Sequence, residues 1–228
     1  MMVLAGLGLN CPLTATAEEG VALAIVYDTS GSMAEPVRDT SGKMAPKHVI
    51  AKRALAAIMA RLQSFATNAP AGTPRHMEAG LFAFSGDGAR PIVPFGPFDG
   101  SNLKRWTNNI PKPSSGTPLG NALNTAANAV LQSKLARKHV LVITDGVNTV
   151  GPDPAAVWPQ IKRRADKQQT PLAVHFVAFD VDAKVFNGVK KQGATVVGAA
   201  DEVQLNSQLE FILEKKILLE DEEPPKKN

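Results

Sequence analysis

The chain has 228 residues, 44% of them hydrophobic, enough to bury one substantial core without requiring a second domain. Its formal net charge of +4 comes from 25 basic and 21 acidic residues. They are scattered without the basic stripe or interleaved aromatics of a nucleic-acid surface, so nucleic acid is not expected as a partner. A single cysteine, Cys11, excludes an intrachain disulfide and a cysteine-based metal cluster.

Residues 1–19 read as a signal-peptide-like or disordered leader. Val3 to Leu9 are mostly apolar, and Ala15-Thr16-Ala17 precede Glu18, which resembles the apolar region and small-residue cleavage site of a secretory signal, without a basic start. Asn10 and Pro12 interrupt the run, which is too short to be a membrane span of roughly 20 residues. No integral membrane segment is therefore expected. Export to the periplasm, cell surface or medium is the expectation, with the cytoplasm as alternative. Residues 20–218 form the folded domain, and the charged, proline-bearing 219–228, "LEDEEPPKKN", is read as a solvated tail.

Within the domain, "VALAIVY" (21–27) is a near-continuous apolar run suited to a strand covered on both faces. A loop at 35–47 follows, then a helix with Ile50, Ala54, Leu55, Ile58, Leu62 and Phe65 on one face. "MEAGLFAF" (77–84) is a weaker strand. In the long loop 85–102, "PIVPF" (91–95) is an edge strand or no strand, because proline cannot donate to a ladder. Leu119, Ala122, Leu123, Ala126 and Val130 mark a second helix, and "HVLVIT" (139–144) a second buried strand. Asp153 before Pro154 signals a capped helix start, with Pro159 making that helix irregular. "LAVHFVAF" (172–179) is a third buried strand, 182–191 a short helix and "ATVVGA" (194–199) a weak strand. Leu205, Leu209, Ile212 and Leu213 mark the last helix. Strands alternating with helices at this spacing predict an α/β domain with helices on both sheet faces.

In open parallel sheets, ligands sit outside the carboxyl ends of the strands, where strand order reverses. Asp28, Ser30 and Ser32 of "DTSGS" lie just past the first strand, and Asp145 of "TDGVN" just past another. Thr117 of "GTPLG" opens a helix expected at the same edge. Two carboxylates and three hydroxyls would be hard oxygen donors suited to Mg²⁺ or Mn²⁺ rather than to a soft metal. Each piece alone also reads as a plain turn or helix cap. Hydroxyls ligate without neutralising, so such a site invites a carboxylate from elsewhere.

Asp28-x-Ser30-x-Ser32, Thr117 in "GTPLG" and Asp145 in "ITDG" resemble the metal-ion-dependent adhesion site of the von Willebrand factor type A domain family. The resemblance runs over roughly residues 20–218, and "AFS" at 83–85 also fits it. It implies a Rossmann-like doubly wound, mostly parallel sheet flanked by helices, with a short antiparallel edge strand. It further implies Ser30 and Ser32 as direct metal ligands, Thr117 ligating directly or through water, and Asp28 and Asp145 acting often through water. A protein partner's Glu or Asp supplies the remaining ligand.

The function that follows is a non-enzymatic module that captures an acidic residue of a protein partner on a divalent cation. One alternative is an intracellular adaptor presenting its metal site to an ATPase or chelatase-like complex. Another is a metal-dependent hydrolase with Asp28 as nucleophile or base, which lacks both a second acid where Ser30 stands and a nearby general acid. The histidines, His48, His76, His139 and His175, show no metal-ligand spacing; His175 reads as a core or strand residue and the others as surface or strand-end residues. "SGK" at 41–43 lacks the leading glycine of a phosphate loop, and no Gly-x-Ser-x-Gly elbow occurs.

Overall fold

The structure is a computed structural model that describes residues 17–68, 75–114 and 116–219. Most of the expected leader, residues 1–16, and the tail from residue 220 lie outside the described residues. No helix among the described residues is long and apolar enough to cross a membrane.

Strands β1 (Glu18–Tyr27), β4 (Met77–Ser85), β5 (Gly88–Pro97), β6 (Leu135–Thr144), β7 (Leu172–Phe179) and β8 (Thr195–Ala199) form one sheet in the order β5-β4-β1-β6-β7-β8. All neighbours are parallel except β4 and β5. Chain order therefore reverses between β1 and β6, which makes the gap beyond their carboxyl ends the switch point of the sheet. The sheet is the Rossmann-like, mostly parallel one expected.

Helices cover both faces because β1 is apolar on both sides. Leu23, Ile25 and Tyr27 pack with Ile50, Leu55 and Leu62 of α1 (Lys47–Thr67), Trp106 of the short α2 (Arg105–Asn108), and Leu205 and Leu209 of α6 (Glu202–Ile212). On the opposite face, Ala22, Ala24 and Val26 meet the small residues Ala122, Ala126 and Ala127 of α3 (Leu119–Leu131). Trp158 and Ile161 of α4 (Pro154–Lys167) and Val189 of α5 (Asn187–Lys191) complete that side. A π-helical turn, Leu213–Ile217, continues α6.

Two stretches carry more regular structure than expected. The loop at 35–47 carries a two-stranded antiparallel ribbon, β2 (Pro36–Arg38) and β3 (Met44–Pro46), closed by a turn in which the Asp39 carboxylate accepts from the Ser41 and Lys43 amides. "PIVPF" lies within a ten-residue strand, β5, at the sheet edge. Its prolines are tolerated there, and the register against β4 shifts on both sides of Leu81. Elsewhere the helix start at Asp153-Pro154 is as read, with the Asp153 carboxylate accepting from the Ala155 amide at 2.7 Å.

Candidate functional site

β1 delivers Asp28 to the switch point and then breaks into a single 3-10 turn, Gly31–Ala34. Asp28 Oδ1 accepts from the Ser30 amide at 2.7 Å, which folds the "DTSGS" segment back over the strand end. Ser30 stands at the head of the turn but its hydroxyl caps nothing; it lies 3.1 Å from Ser32 Oγ. Ser32 Oγ in turn donates to Asp145 Oδ1 at 2.9 Å, across 113 residues of sequence. Three of the five expected residues thus form one hydrogen-bonded chain of oxygens.

Thr117 arrives from the other side. α3 starts at Leu119, and the Gly120 amide in its first turn donates to Asn148 Oδ1 at 3.3 Å rather than to the Thr117 hydroxyl. A Cβ placed on Gly146 would stand 3.6 Å from Thr117 Oγ1 and 3.8 Å from Ser32 Oγ, so both hydroxyls crowd the same glycine. The loop is clamped in place. Thr117 and Thr149 exchange hydrogen bonds, the Thr117 amide donating to Thr149 Oγ1 and the Thr149 amide to the Thr117 carbonyl. The Ser114 amide donates to the Thr29 carbonyl. Gly120 permits the close approach of α3 to the 152–153 backbone, since a Cβ there would lie 2.0 Å from the Pro152 carbonyl oxygen.

Asp28, Ser30, Thr117 and Asp145 are almost fully buried, while Ser32 is half-buried beside the exposed Gly31, so the cluster opens to solvent on one side only. Burial pushes the Asp28 carboxyl up to about 6, against the donors of Ser30 and Thr144 that pull it down; the Asp145 charge adds to the rise. The donor set is all oxygen, and hydroxyls with two buried carboxylates fit a hard divalent ion. No cluster of three or more His, Cys, Asp or Glu side chains suited to a metal occurs among the described residues.

Sequence reasoning missed four participants. Thr144 Oγ1 donates to Asp28 Oδ2 at 2.6 Å, and its place directly before Asp145 was the available signal. Lys47, the first residue of α1, sends a buried ammonium to Asp145 Oδ2 at 3.1 Å. The same ammonium meets Asp180 Oδ2 at 3.0 Å and Glu35 Oε2 at 3.2 Å. No local pattern marks Lys47, because two of its partners, Asp145 and Asp180, come from the distant exits of β6 and β7. His139 is also corrected: it is buried against His175 inside β6 rather than lying at the surface or a strand end.

Over residues 23–148, more than half its length, the sequence matches the profile of the von Willebrand factor type A domain. The chain belongs to that family. No curated protein sequence matches it. Among solved structures, this von Willebrand A domain resembles the PilB minor pilin from Streptococcus sanguinis with a TM-score of 0.60 at 14% identity, over 86% of this chain and 61% of that one. The von Willebrand domain of the type V pili tip protein Mfa5 from Porphyromonas gingivalis gives a TM-score of 0.59 at 13% identity, over 85% and 94% of the two chains. Proximal thread matrix protein 1 from the mussel byssus, in a structure with a zinc-occupied metal-ion-dependent adhesion site, gives 0.57 at 15% identity, over 86% and 48%. The chain thus spans about three fifths of the pilin and half of the byssal protein. At these identities the likeness is one of fold.

Proposed function

We propose that this von Willebrand A domain is a non-enzymatic binding module that holds a divalent cation, Mg²⁺ or Mn²⁺, and through it captures a Glu or Asp side chain of a protein partner. The observation that carries this reading is the continuous set of oxygens running from Ser30 Oγ through Ser32 Oγ to Asp145 Oδ1, with Thr117 Oγ1 facing it across Gly146. Ser30, Ser32 and Thr117 would hold the ion, and Asp28 and Asp145 would orient those hydroxyls and the ion's waters. When bound, the ion supplies an open coordination position that a carboxylate can fill. Asp28 fits a positioning role better than a nucleophilic one, since it is wholly buried with both oxygens accepting hydrogen bonds. The zinc in the related byssal structure is consistent with a divalent ion here. Export goes with this reading: the apolar leader ends in Ala15-Thr16-Ala17 directly before β1, and the proteins of like fold include a pilin, a pilus-tip protein and a byssal matrix protein.

Calorimetric titration of Mn²⁺ into the full chain, alone and with acetate as a model carboxylate, tests the reading. One ion per chain is expected, with binding lost in the Ser30→Ala/Ser32→Ala double variant. Absence of binding by the wild-type chain, even with acetate present, rejects it.

A further inference from the structure

Lysine is rarely buried without partners, and Lys47 is only 3% exposed. Its backbone amide donates to the Glu35 carbonyl at 2.9 Å, which fixes the start of α1 against the segment after the "DTSGS" turn. Its ammonium has three protons and three carboxylate oxygens around it, from Glu35, Asp145 and Asp180, so its donor capacity is filled. Asp180 holds a left-handed backbone, φ 54°, at the exit of β7, a conformation uncommon outside glycine. Burial alone would pull the Lys47 ammonium down, but the three carboxylates outweigh it and hold it above its ordinary range, so it carries its charge.

Asp145 joins this lysine to the hydroxyl cluster. One of its oxygens accepts from Ser32 and the other from Lys47. The side chains of Glu35 and Asp180 are 67% and 40% exposed, so water screens their charge, whereas that of Asp145 is fully enclosed. The uncompensated charge nearest the candidate metal position is therefore set by Asp28, Asp145 and Lys47. Without Lys47, a divalent ion between two carboxylates is neutralised. With it, one positive charge is left over, and a single carboxylate from outside cancels it.

We propose that Lys47 is a tethered cation that tunes the site: it occupies the second oxygen of Asp145, weakens the hold on a bare divalent ion, and so makes tight ion binding depend on a partner's carboxylate. This rests on the metal reading above and makes Lys47 a positioning residue that acts through Asp145. It gives α1 and the exits of β1, β6 and β7 a common electrostatic pin beside the ligand position.

The test is Mn²⁺ titration, with and without saturating acetate, of the full wild-type chain, the double variant Glu35→Gln/Asp180→Asn, and the triple variant that adds Lys47→Met. Lys47→Met alone leaves three carboxylates crowded and can unfold; the double variant keeps Lys47 paired with Asp145, so it differs from the triple variant only by the lysine charge, and thermal unfolding verifies each fold. The folded triple variant is expected to bind Mn²⁺ alone about tenfold or more tighter than the double variant, since one like charge beside the site is removed. Acetate is expected to tighten Mn²⁺ binding markedly in wild type and in the double variant and much less in the triple variant. A merely structural lysine would give weaker binding on its loss. Unchanged or weakened Mn²⁺ affinity in a folded triple variant relative to the double variant overturns the proposal while leaving the metal reading intact, provided the serine double variant still loses binding. Failure of the wild-type chain to bind Mn²⁺ even with saturating acetate overturns both.

Discussion

At the scale of single residues, the site is built by giving each buried charge at least two partners. Asp28 is wholly buried, and its two oxygens accept from the Ser30 amide and from Thr144 Oγ1. Leaving a buried charged acceptor short of a donor costs more than the hydrogen bond contributes when present. Thr144→Val preserves the shape of the strand residue and removes that donor. The expected loss is about 1–3 kcal/mol of unfolding free energy in urea, with the slope of the denaturation line unchanged. A loss within about 0.5 kcal/mol, the range of ordinary surface substitutions, would show that the carboxylate finds another donor. The placement of Asp28, Ser30, Ser32, Thr117 and Asp145 at one sheet edge was legible because each lies just past a strand end or before a helix start that the apolar pattern locates. Lys47 and Asp180 were not: the ion pair of Lys47 with Asp145 spans 98 residues, its pairing with Asp180 is longer still, and Asp180 sits in a backbone turn that no local pattern encodes.

At the scale of elements, the long buried strands and the periodic helices were readable, since burial on two faces demands an unbroken apolar run. The β2–β3 ribbon and the full length of β5 escaped notice because half-exposed, proline-bearing edges carry little apolar signal. Pro159 shows how tertiary structure repairs a local defect. Inside α4 it cannot donate to the carbonyl four residues back, that of Ala155. Gln192 Nε2, from the end of α5, donates to that carbonyl instead at 3.1 Å. Trp158 Nε1 and Lys162 Nζ donate to the Gln192 carbonyl, so the two helices are stitched at one residue. Gln192→Met should therefore cost more beside Pro159 than beside an alanine, which restores the missing amide. A double-mutant cycle with Pro159→Ala is expected to give a coupling of about 1 kcal/mol in unfolding free energy. Additive effects would mean that water already serves the Ala155 carbonyl.

At the scale of the whole molecule, the middle of the sheet holds a second buried polar feature. His139 on β6 and His175 on β7 stack with ring centroids 5.5 Å apart, and His139 Nδ1 lies 3.2 Å from His175 Nε2. Their outer nitrogens, His139 Nε2 and His175 Nδ1, have no hydrogen-bond partner among the described residues. Burial, then the neighbouring charges of His175 and Arg137, push His139 down to about 3; burial, then Lys216, pushes His175 down to about 4. Both folded values lie below the ordinary value near ~6.5 that holds in the unfolded chain. The unfolded state therefore binds protons first, and the stability contributed by the neutral pair is complete above pH ~6.5 and lost as pH falls towards the folded values. By about pH 4.5 each ring should subtract on the order of 2 kcal/mol from the unfolding free energy. Buried carboxylates add their own acid response, so the comparison has to be internal. Urea unfolding of wild type and of His139→Gln/His175→Gln, followed from about pH 7 to about pH 4.5, isolates the pair. The variant is expected to lose clearly less stability over that range, even if it begins lower because glutamine packs less well between the strands. Parallel curves would mean that the rings take up protons equally in the folded and unfolded states, so that burial does not hold them neutral, and the acid sensitivity of the fold would then lie with its carboxylates.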